Sequence, residues 1–306
     1  MQITERIPQS TLLSDLPADA KPGEMPARGG ERTPHPEEIL PSENAESLHS
    51  APKEGLLSYR IEGQGPPLLL IHGFGISFKI WRNLLPHLTS HFRCVIIELP
   101  GIGQSPPPEP ARAYYTVCAE SIEQLRRYLR LEAWAVFSYS TGSRAAETYI
   151  NRHPDRVSRA VFLCPVHVPG WRWMAARAAI HLDSYFPALG DWVLSGRRLH
   201  SLVRTLAFNG RGHPYANEWT REIGAQDINS LKRAIREMPN AGNSLLDLPV
   251  PALYVWGKYD LIPNRPRRRL RRQHAPIHRR ILANHSAPEL AAGQVADEVL
   301  PFLRVA

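Results

Sequence analysis

Five short segments are apolar without interruption, and they constrain the fold more than any other feature of the chain. They are residues 67–71, 94–97, 133–137, 161–164 and 252–256. Continuous apolar character is typical of parallel strands covered on both faces, because a strand with one face in water alternates apolar and polar residues. Helical windows lie between or after these segments, at 79–88, 117–131, 143–152 and 291–303. The alternation predicts an α/β fold with right-handed crossovers and a mostly parallel central sheet.

Two regions depart from this alternation. Residues 1–55 contain eight of the 29 prolines and ten acidic residues against five basic ones. Such a segment cannot bury enough apolar surface to offset the entropy of ordering it, which predicts a disordered, acidic, proline-rich leader. Residues 166–247 show helical windows but no convincing strand, which predicts a helical cap (lid) inserted into a core of residues 56–165 and 248–306.

Composition excludes several classes of protein. A hydrophobic fraction of 43% and a net charge of +8 are compatible with a globular chain and exclude a fibrous one. Three widely spaced cysteines favour neither a disulfide framework nor a metal site. No apolar run approaches the ~20 residues of a membrane span, and the N-terminus lacks an apolar signal core. We therefore expect a cytoplasmic protein, with peripheral membrane contact left open.

A candidate nucleophile follows the third apolar segment. The run Ser138-Tyr139-Ser140-Thr141-Gly142-Ser143 leads directly into a helical window. A serine at a tight strand-to-helix turn exposes its hydroxyl, and the crowded turn needs small residues two before and two after it, as Ser138 and Gly142 are. A serine also caps helices, so this turn alone does not distinguish the two interpretations.

A second turn supplies the context for Ser140. His72-Gly73-Phe74-Gly75 ends the first apolar segment, and its glycines allow the backbone to turn sharply. The backbone amides of Phe74 and Thr141 are then expected to form an oxyanion hole, in which each donor is worth roughly 3–4 kcal/mol of transition-state stabilisation. We interpret His72 as a structural hydrogen-bonding group.

With these motifs, the chain resembles the serine hydrolases of the α/β-hydrolase fold, of the capped, esterase- and peroxidase-like kind. Trp256-Gly257-Lys258-Tyr259-Asp260 resembles the family's acid turn, and Ala283-Asn284-His285-Ser286 resembles its histidine loop. The resemblance implies a triad of Ser140, Asp260 and His285 in the family's chain order, without cofactor or metal. Two residues depart from the family pattern, since Ser138 and Asn284 stand where glycine is usual.

The resemblance implies hydrolysis of a small apolar carboxylic ester or a related acyl substrate. The same triad could cleave a carbon–carbon bond beside a carbonyl, or a thioester, and fold analogy does not choose among them. Tyr139, Trp171 and Trp173 are the candidate substrate-binding residues. The two tryptophans either line an apolar pocket or pack the helical layer against the core.

Arginines are concentrated between the acid and the histidine. A helix opened by Pro266 would place Arg265, Arg268, Arg269 and Arg272 on one face. This face is either a solvated surface or a contact for an anionic surface, and no nucleic-acid motif accompanies it. A competing hypothesis, from a different functional class, is therefore a non-catalytic protein. It keeps the fold and binds an anionic surface through this helix.

Overall fold

A computed structural model describes residues 48–50, 56–166, 196–238, 248–262 and 276–305, with 178, 181–182, 185 and 191–192 between them. The predicted leader as far as residue 47, Trp171, Trp173 and the arginines of 265–272 lie outside the described residues. Within the described part of the chain, no helix is long and apolar enough to span a membrane.

The described strands form one sheet with the order β1-β2-β4-β3-β5-β6-β7-β8. β2 pairs antiparallel with β1 and β4, and the remaining pairs are parallel. The strands are β1 (Leu48–Ser50), β2 (Tyr59–Glu62), β3 (Pro67–Ile71), β4 (Arg93–Ile97), β5 (Trp134–Tyr139), β6 (Val157–Leu163), β7 (Ala252–Gly257) and β8 (Ile277–Ile281). β3 to β7 are the five predicted apolar segments, and the mostly parallel sheet is confirmed.

Three strands were not predicted, because none of them is a continuous apolar run. β1 lies inside the segment predicted to be a disordered leader, so that prediction is wrong for residues 48–50. Its backbone pairs with the edge of β2, and such pairing needs no apolar side chains. β8 reads Ile-His-Arg-Arg-Ile and is exposed over its first four residues, as an edge strand can be.

Helices flank the sheet and connect its strands. They are α1 (Leu85–Thr89), α2 (Tyr114–Tyr128), α3 (Gly142–Arg152), α4 (Gly196–Phe208), α5 (Pro214–Gly224), α6 (Ile228–Glu237), α7 (Ala287–Leu290) and α8 (Ala292–Leu303), with 3₁₀ turns at Phe78–Trp81 and Pro154–Arg156. The helix predicted over 79–88 is divided into a 3₁₀ turn and α1. Pro86 lies in the first turn of α1, where its missing N–H costs nothing, so it begins a helix more readily than it continues one.

The segment between β6 and β7 is helical wherever a regular element is described in it, as predicted. We call residues 196–238, which contain α4, α5 and α6, the cap helices. Leu199 and Val203 of α4 are buried, as are Trp219 of α5 and Leu231 of α6. The cap helices therefore hide their apolar faces in the protein interior.

The turn from β5 into α3 lies against the end of β3. A Cβ atom on Gly142 would lie 2.1 Å from the carbonyl oxygen of His72, so only glycine fits there. The His72 side chain is fully buried, and its Nδ1 donates to the carbonyl of Gly73 at 2.7 Å. Its Nε2 accepts from the backbone N–H of Leu99 at 2.9 Å, which ties the loop after β3 to the loop after β4. His72 is thus a neutral structural bridge, as interpreted from the sequence.

We predict that Gly142→Ala lowers the free energy of unfolding by about 3 kcal/mol or more, because backbone must move to admit the methyl group. Gly293→Ala is the matched control, since a Cβ at this α8 position meets nothing within 4 Å. It should be neutral or stabilise the helix by up to about 1 kcal/mol. Urea unfolding of both variants makes the comparison, and equal stability of the two would contradict the close packing.

We also predict that His72 makes stability fall in acid. Burial lowers the pKa of His72 from 6.5 to about 4. Between these values the unfolded chain takes up a proton that the folded chain excludes, so the folded state loses stability as pH falls from 6.5 towards 4. The contribution reaches about 3 kcal/mol.

Urea unfolding between pH 4.5 and 7.5 checks this dependence. His72→Gln should flatten the curve relative to the wild type, whereas His87→Gln, at an exposed position of α1, should leave its slope unchanged. Parallel curves for the wild type and His72→Gln would refute the assignment.

Candidate active site

Three polar side chains from distant parts of the chain meet at the carboxyl edge of the sheet. Ser140 follows β5, Asp260 follows β7 and His285 follows β8. Parallel strands end at the same edge, so residues that follow them converge there. The topology thus explains how positions 120 and 25 residues apart in sequence come into contact.

The three side chains form a hydrogen-bonded chain. Ser140 Oγ lies 2.8 Å from His285 Nε2, and His285 Nδ1 lies 2.8 Å from Asp260 Oδ2. Ser140 and His285 are 4% and 3% exposed, and the Asp260 side chain is fully buried. With the proton on Nδ1 bound to the carboxylate, Nε2 is free to accept the serine proton.

Ser140 adopts the strained conformation that the sequence predicts for this turn. Its φ is +52°, a region that residues with a side chain rarely occupy. The N–H of Ser140 donates to the carbonyl of Leu163 at 3.0 Å, which holds the turn against the end of β6. Such strain persists only where surrounding structure enforces it, and here it directs Oγ at the imidazole.

The two departures from the family pattern are accommodated without strain. The Ser138 hydroxyl donates to the carbonyl of Val161 at 3.2 Å, so it is satisfied between β5 and β6. Asn284 does not have a positive φ, and its Oδ1 accepts from the N–H of Ser286 at 3.0 Å. The backbone at position 284 therefore does not need glycine's freedom to adopt a positive φ.

Backbone pairing brings the acid and the histidine together. Lys258 N donates to Ile281 O and Tyr259 N donates to Ala283 O, each at 2.9 Å. These bonds extend the β7–β8 ladder into the loops that carry Asp260 and His285. A Cβ atom on Gly257 would lie 2.7 Å from the carbonyl oxygen of Ala283, so the loops approach more closely than a side chain would permit.

The Asp260 carboxylate has a donor besides the imidazole. Its Oδ1 accepts from the N–H of Ile262 at 2.9 Å. The Cys164 thiol lies beside the carboxylate, and burial together with the Asp260 charge raises the pKa of this thiol well above its usual range, so it stays neutral. Cys164, Asp260 and His285 are also the described group that could hold a metal ion, with ligand atoms within 4.8 Å. The 2.8 Å bond from Nδ1 to Asp260 already uses the nitrogen that such an ion would need.

Tyr139 forms a hydrogen bond with the loop that carries His285. Its hydroxyl donates to the carbonyl of His285 at 2.6 Å, and the two rings lie 5.2 Å apart. Tyr139 also lines the pocket above Ser140, as expected of a candidate substrate-binding residue. It therefore has a structural contact as well as a place in the pocket wall.

An apolar pocket opens over Ser140 and His285. It is partly open to solvent, and its wall is almost entirely apolar, as is typical of small-molecule sites. Phe74 and Thr141, the residues whose amides were predicted to form an oxyanion hole, both line it. The cap helices supply most of the remaining wall: Leu199, Leu202, Val203, Leu206 and Ala207 from α4, Trp219 and Ile223 from α5, and Ile235 from α6.

Sequence reasoning missed the contribution of α4. The signal was present, because residues 199, 202, 203 and 206 are apolar at the spacing of one helical face. An amphipathic pattern predicts that a face is buried, but it does not say which surface covers that face. Trp171 and Trp173, which were named instead, lie outside the described residues.

Comparison with known proteins agrees with the fold. Residues 66–265 match the α/β hydrolase fold family. A pimeloyl-[acyl-carrier protein] methyl ester esterase from Vibrio vulnificus is 28% identical, over 68% of this chain and 81% of the relative. An esterase of the same name from Methylococcus capsulatus is 31% identical over 60% and 76% of the two chains.

The solved structures show the same architecture. A hydrolase from Oleispira antarctica superposes with a TM-score of 0.66 and 21% identity, covering 81% of this chain and 94% of the other. The family match includes β3 to β7, Ser140 and Asp260, and the histidine that completes the hydrogen-bonded chain follows it. The protein belongs to the α/β hydrolase fold family of hydrolases.

Proposed function

We propose that the protein is a serine hydrolase that cleaves a small apolar carboxylic ester, with Ser140, His285 and Asp260 as its catalytic triad. The observation that carries the proposal is the hydrogen-bonded chain from Ser140 to Asp260 on the wall of an apolar pocket. The Oγ–Nε2 distance of 2.8 Å is within reach for direct proton transfer.

The reaction proceeds through an acyl-enzyme. Ser140 Oγ attacks the ester carbonyl while His285 Nε2 takes the serine proton, and Asp260 stabilises the imidazolium that results. The carbonyl oxygen becomes an oxyanion that the amides of Phe74 and Thr141 stabilise. Collapse of the tetrahedral intermediate breaks the ester C–O bond, and His285 returns the proton to the leaving alcohol. Water, activated by the same imidazole, then releases the acid and restores Ser140.

The pocket favours an uncharged acyl group. Among the lining residues that the structure describes, none is Lys, Arg, Asp or Glu. A charged group placed against such a wall loses its hydration without gaining a partner, which is costly. The acyl chain is therefore expected to be a hydrocarbon that packs against α4.

The names of the curated relatives favour an ester over the other substrates considered. Both relatives described above are named as methyl ester esterases. Thioester hydrolysis and carbon–carbon cleavage use the same triad, but no described contact selects them. A non-catalytic role is the competing hypothesis, and it requires that Ser140 be unreactive.

We predict that a fluorophosphonate probe labels the wild type and fails to label Ser140→Ala. Ser140→Ala should also reduce p-nitrophenyl ester hydrolysis to background, and Asp260→Asn should lower kcat by about 10⁴-fold because the imidazole loses its orienting carboxylate. Ser158→Ala, at an exposed serine near the start of β6, is the matched control and should retain full activity. Labelling that persists in Ser140→Ala, or a wild type without labelling, would exclude the proposed mechanism.

We predict that kcat/KM for straight-chain p-nitrophenyl esters rises about fourfold for each methylene until the pocket is filled, since each buried methylene is worth about 0.8 kcal/mol. The matched substrate is the mono-p-nitrophenyl ester of adipic acid, which has the chain length of the hexanoate and a terminal carboxylate. It should react at least about 100-fold more slowly. Equal rates for the two esters would refute the apolar acyl site.

A further inference from the structure

The carboxylate of Glu222, on cap helix α5, holds the loop after β3. Glu222 Oε1, on α5, accepts the backbone N–H of Ser77 at 2.9 Å and also the Ser77 hydroxyl. Ser77 lies three residues after Phe74, whose amide is one of the two proposed oxyanion donors. The loop from 72 to 77 therefore has its first end fixed by the buried His72 and its last end fixed by a cap helix.

The middle of this loop also lies against α5. Gly75 has a φ of +64°, and a Cβ atom there would approach the Ile223 side chain to 3.0 Å. The backbone next to Phe74 thus packs directly on the residue that follows Glu222. Two adjacent residues of α5 therefore contact the loop, one through hydrogen bonds and one through van der Waals contact.

The helix that provides these contacts is itself fixed to the core. Trp219 Nε1 donates to Glu289 Oε2 at 2.9 Å, and Glu289 lies four residues after His285. Arg82 forms an ion pair with Glu218 at 2.9 Å. Just beyond the helix, Gln226 accepts the N–H of Gly103 at 2.7 Å. Because α5 is held at its middle and just beyond its C-terminal end, Glu222 between these contacts offers the loop a fixed point.

We propose that Glu222 is a positioning residue for the oxyanion hole, so that cap helix α5 completes the catalytic site as well as forming its wall. This inference rests on the serine hydrolase mechanism proposed above. Glu222 acts through Ser77 on the backbone that carries the Phe74 amide, and it does not touch the reacting atoms. Its effect belongs to the transition state, because the amide must be aimed at an oxygen whose charge develops only there.

The test compares Glu222→Ala with Glu222→Gln and with Asn217→Ala, at an exposed position of α5. Removing an oxyanion donor outright costs about 10²–10³ in kcat, so releasing the loop should lower kcat by about 10- to 100-fold and change KM by less than about threefold. Glu222→Gln keeps an oxygen that accepts from Ser77, and kcat should return to within about threefold of the wild type. Asn217→Ala changes an exposed side chain on the same helix, and kcat should stay within about twofold.

A second variant covers the case in which Glu222→Ala does not fold. Ser77→Ala removes the hydroxyl donor and leaves the backbone N–H in place, so we expect a smaller fall in kcat, about three- to tenfold. In the double variant with Glu222→Gln, the two effects should combine non-additively, since both changes act on one contact. Unchanged kcat in Ser77→Ala together with additive effects in the double variant would overturn the proposal.

Fluorophosphonate labelling separates this proposal from the one on which it rests. The phosphonyl oxygen occupies the oxyanion hole. Glu222→Ala should therefore be labelled at about one tenth of the wild-type rate or less, at unchanged melting temperature. A wild type that is not labelled at Ser140 would refute the hydrolase mechanism itself. A labelled wild type, with Glu222→Ala folded and labelled at the same rate, would refute only the positioning role.

Discussion

The close contact between the β5–α3 turn and the end of β3 is the constraint on which the rest of the site depends. Residues 142 and 73 have no side chain, and a Cβ on Gly142 would lie 2.1 Å from the His72 carbonyl oxygen. A Cβ on Gly73 would similarly approach the Cβ of Ser140 to 3.0 Å. Two backbones can therefore lie side by side, which places Ser140 and Phe74 on the wall of one pocket.

The strain at Ser140 is maintained by this contact and by the neighbouring strands. A φ of +52° is unfavourable for a serine, and an isolated turn would relax from it. The hydrogen bond from Ser140 to β6, together with the mostly buried strands β3 and β6 on either side of β5, removes the alternatives. The stability of the sheet thus maintains the reactive geometry of one residue.

The acid and the histidine depend on a weaker part of the fold. β8 is exposed over most of its length, and little apolar burial holds it. Its position comes from the parallel ladder with β7 and from the backbone bonds that continue into the following loops. The ion pair of Arg279 with Glu298, at 3.4 Å, adds a surface contact to α8. Backbone hydrogen bonding, not hydrophobic packing, therefore sets the distance between Asp260 and His285.

The parallel strands and the turn of the candidate nucleophile follow from local sequence signatures, whereas the loops of Asp260 and His285 were predicted from the resemblance to a known family. A buried parallel strand must be apolar throughout, and a strained turn must be flanked by small residues. The sequence did not reveal β1, β2 or β8, since backbone pairing at or next to a sheet edge leaves little compositional signal. The three-dimensional packing alone shows which apolar face of the cap helices covers Ser140, and that Glu222 reaches Ser77 across 145 positions of the chain. Such contacts depend on how helices pack in space, and the residues that make them carry no local pattern from which that packing follows.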